Sequence, residues 1–159
     1  MHTNLPYRHC AGVALVNAQG LVFTGERVDT PGAWQMPQGG VDSGEAPRSA
    51  AFRELEEETG ISPALVTLER EHPDWILYDL PEHLVGKLWS GRYRGQKQRW
   101  FLMRFHGADG DIALDQEHRE FSRWRWSTPD EVIGNIVPFK RAAYEQVIAA
   151  FRPHLSAAP

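Results

Sequence analysis

The stretch GGVDSGEAPRSAAFRELEEETGI, residues 39–61, decides how this chain is read. Within it, Arg53-Glu54-Leu55-Glu56-Glu57-Glu58 sets four carboxylates within five consecutive positions. On a helix, Glu54, Glu57 and Glu58 fall at i, i+3 and i+4, on one face, with Cβ atoms about 5–6 Å apart. Glu56 points elsewhere. Such a face costs the helix. Glu54 and Glu58 repel across one turn by roughly 0.2–0.5 kcal/mol. Each negative charge near the helix C-terminus also opposes the macrodipole by roughly 0.3–1 kcal/mol. A divalent cation reverses both penalties, and closely spaced carboxylate oxygens are the ligands that Mg²⁺ or Mn²⁺ prefers. A solvated acidic face is the plain alternative.

The preceding loop, Trp34-Gln35-Met36-Pro37-Gln38-Gly39-Gly40-Val41-Asp42-Ser43-Gly44-Glu45, holds glycines, Pro and Asp, which signal tight turns and close backbone approach. Pro47 suits the first helical position. Gly60 suits the left-handed residue just past the last turn. The spacing therefore predicts a helix over Pro47–Thr59, with Phe52 and Leu55 turned to the core.

Gly39, five residues, Glu45, seven residues and then RELEEETGI fill every fixed position of the pattern GX5EX7REUXEEXGU. The sequence resembles a Nudix hydrolase. The resemblance implies an α/β fold, an α/β/α sandwich with a mixed β-sheet between helices, as a single domain over residues 1–159. The box, residues 39–61, would form a loop, a helix and a loop at one edge. The implied reaction is hydrolysis of a nucleoside diphosphate linked to another moiety. The resemblance implies Glu54, Glu57, Glu58 and the backbone carbonyl of Gly39 as ligands for Mg²⁺, with Mn²⁺ or other divalent cations as substitutes. Bound cations would hold the phosphates and lower the pKa of the attacking water. Arg53 would pair with a box glutamate and orient it. The proton acceptor is left open among Glu54, Glu57 and Glu120, the last also a further metal ligand.

Glu120 opens the segment EFSRWRW, which is similar to a Glu-Phe-x-x-Trp-Arg-Trp pattern in one branch of the family. That branch is the bacterial RNA pyrophosphohydrolases with the related dinucleoside polyphosphate hydrolases. Tyr7-Arg8, Trp34 through Gly40, Tyr78-Asp79-Leu80-Pro81, Gly95 through Phe101 and Phe139-Lys140-Arg141 look like the same branch, so the likeness spans about residues 7–152. His9-Cys10 after Tyr7-Arg8, Pro138 before Phe139 and the lack of a long basic tail depart from it. In this reading Arg8, Arg27, Lys97 and Lys140 neutralise phosphate oxygens. Phe139 stacks on a base at about 1–3 kcal/mol, and Tyr78 hydrogen-bonds a phosphate.

The implied substrate is the 5′-triphosphate end of RNA, cut to a 5′-monophosphate, a step that opens mRNA to decay. An asymmetric hydrolase of diadenosine tetra- or pentaphosphate is the runner-up, since both present a short phosphate chain ending in a nucleoside. A nucleotide-sensing module without turnover is the third reading, and the intact carboxylate set argues against it.

Composition bounds these readings. The chain has 159 residues, 42% hydrophobic and 24% charged, which suits one soluble globular domain. Its formal net charge of −4 excludes a protein that coats nucleic acid or reads DNA through bulk positive charge, so a polyanion site must be a local basic patch. The lone Cys10 forms no internal disulfide, which fits the cytoplasm, and is expected to be buried. No signal-peptide core or run of about 18 apolar residues is present, so no membrane association is expected. The expected state is a monomer or weak homodimer. Six tryptophans are many, and some are expected at a binding surface. The seven histidines are scattered without zinc-site spacing.

Residues 10–16 and 21–27 read as a hairpin around Asn17-Ala18-Gln19-Gly20. Strands are expected at 65–68, 75–79, 96–105 and 120–126, with polar punctuation at 69–73. A short helix is expected at 81–88, another at 130–133 capped by Ser127-Thr128-Pro129, and a last one at 139–151. The alanine-rich end is expected to fray.

Overall fold

The structure is a computed structural model and describes residues 4–156. The expectations for the extreme N-terminus and for the alanine-rich end fall partly or wholly outside the described residues. The chain order is β1 (Tyr7–Val16), β2 (Val22–Arg27), β3 (Trp34–Gln35), β4 (Gln38–Gly40), α1 (Pro47–Thr59), β5 (Val66–Glu71), β6 (Ile76–Asp79), β7 (Gly95–Phe105), β8 (Phe121–Ser127), α2 (Pro129–Asn135) and α3 (Arg141–Phe151).

All eight strands join one sheet, with β3-β2-β1-β7-β5 as its main path. β1 lies parallel to β7 from Tyr7↔Gly95 to Val16↔Arg104, and the other pairings are antiparallel, so the sheet is mixed as expected. Strand alternation then sorts the core into two layers. Ala11, Val13, Leu15, Phe101 and Met103 face Ala50, Ala51 and Leu55 of α1. Ala14, Val16, Trp100 and Leu102 face Tyr144, Val147, Ile148 and Phe151 of α3.

The expected hairpin forms only at its turn. The Asn17 side chain accepts the Gln19 and Leu21 amides at 3.0 and 2.9 Å, but β1 and β2 pair only at Val16↔Val22 before they part. β4 takes over the edge of β1 at Cys10, Ala11 and Gly12. The V-shaped gap between β1 and β2 becomes the main cleft.

α1 matches its expected bounds. Pro47 opens it, and Gly60 closes it at φ 73°, a conformation that favours glycine, with its amide donating to Glu56 O. Leu55 is buried and Phe52 packs at the edge of the same layer. α2 begins with reciprocal bonds between Thr128 and Glu131, worth about 1 kcal/mol.

Three expectations need correction. Residues 81–88 form successive turns rather than a helix, because Gly86 sits at φ 90° and interrupts the repeat. β5 runs on to Glu71 through the polar stretch, because Glu69 and Glu71 project from the strand to pair with Arg104 and Arg99 of β7 at 3.2 and 3.1 Å. Residues Pro138–Lys140 form a 3-10 turn, so α3 starts at Arg141. Among the described residues no helix is long and apolar enough to cross a membrane.

Candidate active site

The cleft between β1 and β2 is a cavity of about 660 Å³ whose lining includes Arg8, Arg27, Gly39, Glu54, Glu57, Tyr78, Gln96, Glu120, Phe139 and Lys140. One end is acidic. α1 lies against the sheet, so its three-glutamate face meets the Gly39 end of β4. Side-chain exposure falls from 57% at Glu57 to 14% at Glu54, and Glu58 is buried. A Cβ on Gly39 would run into the Glu54 carboxyl group, so glycine is what lets the carboxylate lie against the strand.

Arg53 organises this end. Its Nε and Nη2 donate to the two Glu45 oxygens, each at 2.8 Å. Nη1 reaches Glu54 at 2.9 Å and Glu57 at 3.2 Å, and Nη2 also donates to Gly40 O at 2.8 Å. The bidentate Arg53 contact holds the Glu45 carboxyl down to about 2. Burial raises Glu54 above the ordinary carboxylate range against the pull of Arg53.

Glu58 is the group out of balance. Both of its carboxylate oxygens are buried without a hydrogen-bond partner of normal geometry. Burial raises its pKa well above the ordinary range; the charges of Glu54 and Glu120 add to this, and the Gln38 backbone amide only partly opposes it. A buried, unpartnered carboxylate is costly, and its chemistry fits a hard divalent cation. Among the described residues no three Asp, Glu, His or Cys side chains are gathered into a ligand set as they stand. A cation held there would share Glu54 and Glu57 with Arg53. Glu120 sits one residue before β8, is exposed, and faces Glu54, Glu57 and Glu58 across a smaller adjoining cavity.

The other end is cationic and aromatic. Lys140 is buried and pairs with no carboxylate among the described residues; Asp29, whose charge it feels, is already held by Arg27 at 2.8 and 2.7 Å. Burial, with Arg27 beside it, pushes the Lys140 amine down to about 8. Arg27 also donates to Gln35 at 3.2 Å. The Tyr78 and Phe139 rings lie 5.8 Å apart, and Lys140 Nζ is 5.6 Å from the Tyr78 ring centre. Burial raises the Tyr78 hydroxyl. Arg8 lies over Trp89, 5.7 Å from the ring centre. Cys10 is buried, and its thiol is raised to about 11.

The cleft gathers Arg8, Arg27, Tyr78, Phe139 and Lys140, five of the six residues named from the sequence as substrate contacts. It does not gather Lys97. On β7, Gln96 and Lys97 point to opposite faces. Gln96 lines the cleft, and Lys97 lies 5.1 Å from the Trp75 ring centre on the far side. Gln96 escaped the sequence reading, although strand alternation with Trp100 and Leu102 marks its side. Gln96 accepts a 2.8 Å bond from Gln98, which in turn accepts one from Trp100 at 2.9 Å. Gln35, Gln38, Leu84, Leu88 and Trp89 also line the cleft, and no local pattern announces them.

Comparison with known proteins shows what the chain is similar to in sequence and in fold. An "RNA pyrophosphohydrolase" of Roseobacter denitrificans is 60% identical over 152 residues, 95% of each chain. One of Cereibacter sphaeroides is 56% identical over 153 residues, 96% of this chain and 94% of the relative. In fold, the chain is similar to E. coli dihydroneopterin triphosphate pyrophosphohydrolase, with a TM-score of 0.72 at 22% identity, covering 91% of this chain and 99% of the other. It is also similar to a C. elegans Ap4A hydrolase, with a TM-score of 0.68 at 19% identity, covering 92% and 98%. The NUDIX domain profile matches residues 6–149, which takes in both ends of the cleft, and the chain belongs to the Nudix family.

Proposed function

We propose that the chain is a divalent-cation-dependent pyrophosphohydrolase that acts on the 5′-triphosphate end of RNA and leaves a 5′-monophosphate. One observation carries the reading. The cleft carries a buried lysine lacking a carboxylate partner, Lys140, at one end, and at the other Glu54, Glu57 and Glu120, which it shares with a smaller adjoining cavity where the buried carboxylate Glu58 lacks a hydrogen-bond partner. A phosphate chain with its cation balances both. The names of the close relatives in Roseobacter and Cereibacter support the RNA end as substrate.

Glu54, Glu57, Glu58, Glu120 and the Gly39 carbonyl would hold Mg²⁺, which when bound neutralises phosphate oxygens and acidifies water. Arg53 keeps Glu54 and Glu57 in place. Glu57, the most exposed box carboxylate of the three, accepts the proton of the attacking water, with Glu120 opposite as the alternative acceptor. Arg8, Arg27 and Lys140 take phosphate oxygens, for which Arg27 must loosen Asp29. Phe139 and Tyr78 offer ring faces to a base. A monomer or weak homodimer in the cytoplasm suits this role, and removal of the triphosphate would open mRNA to decay.

The second reading, a dinucleoside polyphosphate hydrolase, is favoured by the apolar wall of Leu80, Leu84, Leu88 and Trp89, which could receive a second nucleoside. The test compares kcat/KM on a triphosphorylated oligonucleotide and on diadenosine pentaphosphate, with Mg²⁺ and with chelator. The RNA substrate should be favoured and chelation should stop turnover. A strong preference for the dinucleotide would sink the RNA assignment. No cation-dependent release from any nucleotide would return the chain to the sensor reading.

A further inference from the structure

The face of the sheet that carries Lys97 is not fully covered. α1 packs over Ala11, Val13 and Leu15 but leaves the start of β1 open. Register brings His9, Lys97 and Leu77 into one row across β1, β7 and β6, with Arg99 in the next row beside Trp75. His9 is exposed and Leu77 is 44% exposed. The Trp75 ring is ringed by His9 at 5.5 Å, Lys97 Nζ at 5.1 Å and the Arg99 guanidinium at 5.0 Å. Arg99 is partly neutralised by Glu71 at 3.1 Å. Lys97 has no ion-pair partner among the described residues.

A groove connects this corner to the cleft. It is about 540 Å³ and is lined by Tyr7, Arg8, His9 and Tyr93, with Asp42 and Glu45 on the opposite wall. Arg8 and Gly40 belong to both the groove and the cleft. The groove repeats the pattern of cation against ring, with Arg94 over Tyr7 at 4.8 Å and Arg92 over Tyr93 at 5.8 Å. Glu45 is occupied by Arg53, and Asp79 by Arg94. A chain of net charge −4 has therefore collected cations and ring faces along one path out of its cleft.

We propose that this path, from Arg8 through His9 to Trp75 and Lys97, is a track for the nucleotides that follow the triphosphorylated end of a single-stranded RNA. Trp75 supplies a face on which a base stacks, and Lys97 and Arg99 face the backbone phosphates. Interleaved cations and aromatic rings are the chemistry that holds a single strand without reading its sequence. The continuity with the cleft through Arg8 favours the substrate over a second protein. This inference rests on RNA being the substrate.

The test measures kcat/KM of wild type, Trp75→Ala and Lys97→Gln on a triphosphorylated dinucleotide, a triphosphorylated octanucleotide and diadenosine pentaphosphate. It also measures binding of a labelled 5′-monophosphorylated octanucleotide by anisotropy across a salt series. Trp75→Ala should lose about tenfold on the octanucleotide, mainly in KM, and leave both short substrates unchanged, which also reports that it folds. Lys97→Gln should lose less and reduce the salt slope by about 1. Equal losses on the short substrates, or none on the octanucleotide, overturn the track. A Trp75→Ala change in sedimentation with unchanged RNA kinetics would make the corner a contact between copies and also overturn it. Failure of the underlying reading shows separately, as a wild-type enzyme that cuts diadenosine pentaphosphate and not RNA.

Discussion

The carboxylate end of the cleft, with the small cavity that adjoins it, takes Glu54, Glu57 and Glu58 from little more than one turn of α1, and Arg53 from the same turn. The cationic end takes Arg8 from β1, Arg27 from β2, Tyr78 from β6, Gln96 from β7 and Lys140 from the turn before α3. The first is set by helix geometry and survives small shifts of the fold around it. The second exists only because β1 and β2 diverge and β7 keeps its register. Chemistry that requires fixed spacing between charges is kept local, and contacts that need only reach a substrate are spread over the sheet.

The largest effect should come from the local end. Glu57→Gln should lower kcat by about 10²- to 10⁴-fold with little change in KM, the mark of a lost proton acceptor. A loss confined to KM would move that role to Glu120. Arg53→Lys should come next, since lysine cannot reproduce the fork that spans Glu45, Glu54 and Glu57. A loss of about 10- to 100-fold is expected, partly recovered by raising Mg²⁺. An unchanged Mg²⁺ dependence would show that the guanidinium serves only to fold the box.

The smallest change in rate should come from the dispersed end. Lys140→Met should raise KM about tenfold on removal of one charge-assisted contact while making the protein more stable at pH 7. The amine sits at about 8 in the folded protein and near 10.4 in the unfolded chain. Between those values the unfolded state binds more protons, so wild-type stability rises with pH, and below 8 the full penalty of the buried charge stands. The variant lacks both the penalty, roughly 1–3 kcal/mol, and the rise. Chemical denaturation at pH 7 and pH 10 reads both, and a less stable variant would place the lysine among groups the fold needs.

The two ends also differ in how they appear in the sequence. Pro47, the glutamate spacing and Gly60 specify α1 and its acidic face from one short window, since every interaction involved spans about one turn. EFSRWRW likewise marks β8, though Glu120 itself stands just outside the strand. The cationic end was legible as residue types and not as a place. Lys97 shows why: in GQKQRWF either Gln96 or Lys97 can face the cleft, and the choice is made by which face of β7 packs on α3. Trp100 and Leu102 carry that information two and three turns of the pleat away. The run from Pro81 to Leu88 misleads for a similar reason, because leucines spaced for a helix are instead laid along the cleft wall by a left-handed Gly86.

The Tyr144 hydroxyl accepts the Met36 backbone amide at 2.9 Å, and Val13 donates to Pro37 O at 2.9 Å. Tyr144 lies one turn after Lys140, and Met36 lies three residues before Gly39. The anchor of the lysine and the anchor of the glutamates are therefore clamped to the same short peptide. Such a clamp makes the protein a caliper, whose two jaws are tied to one hinge and so hold a common setting.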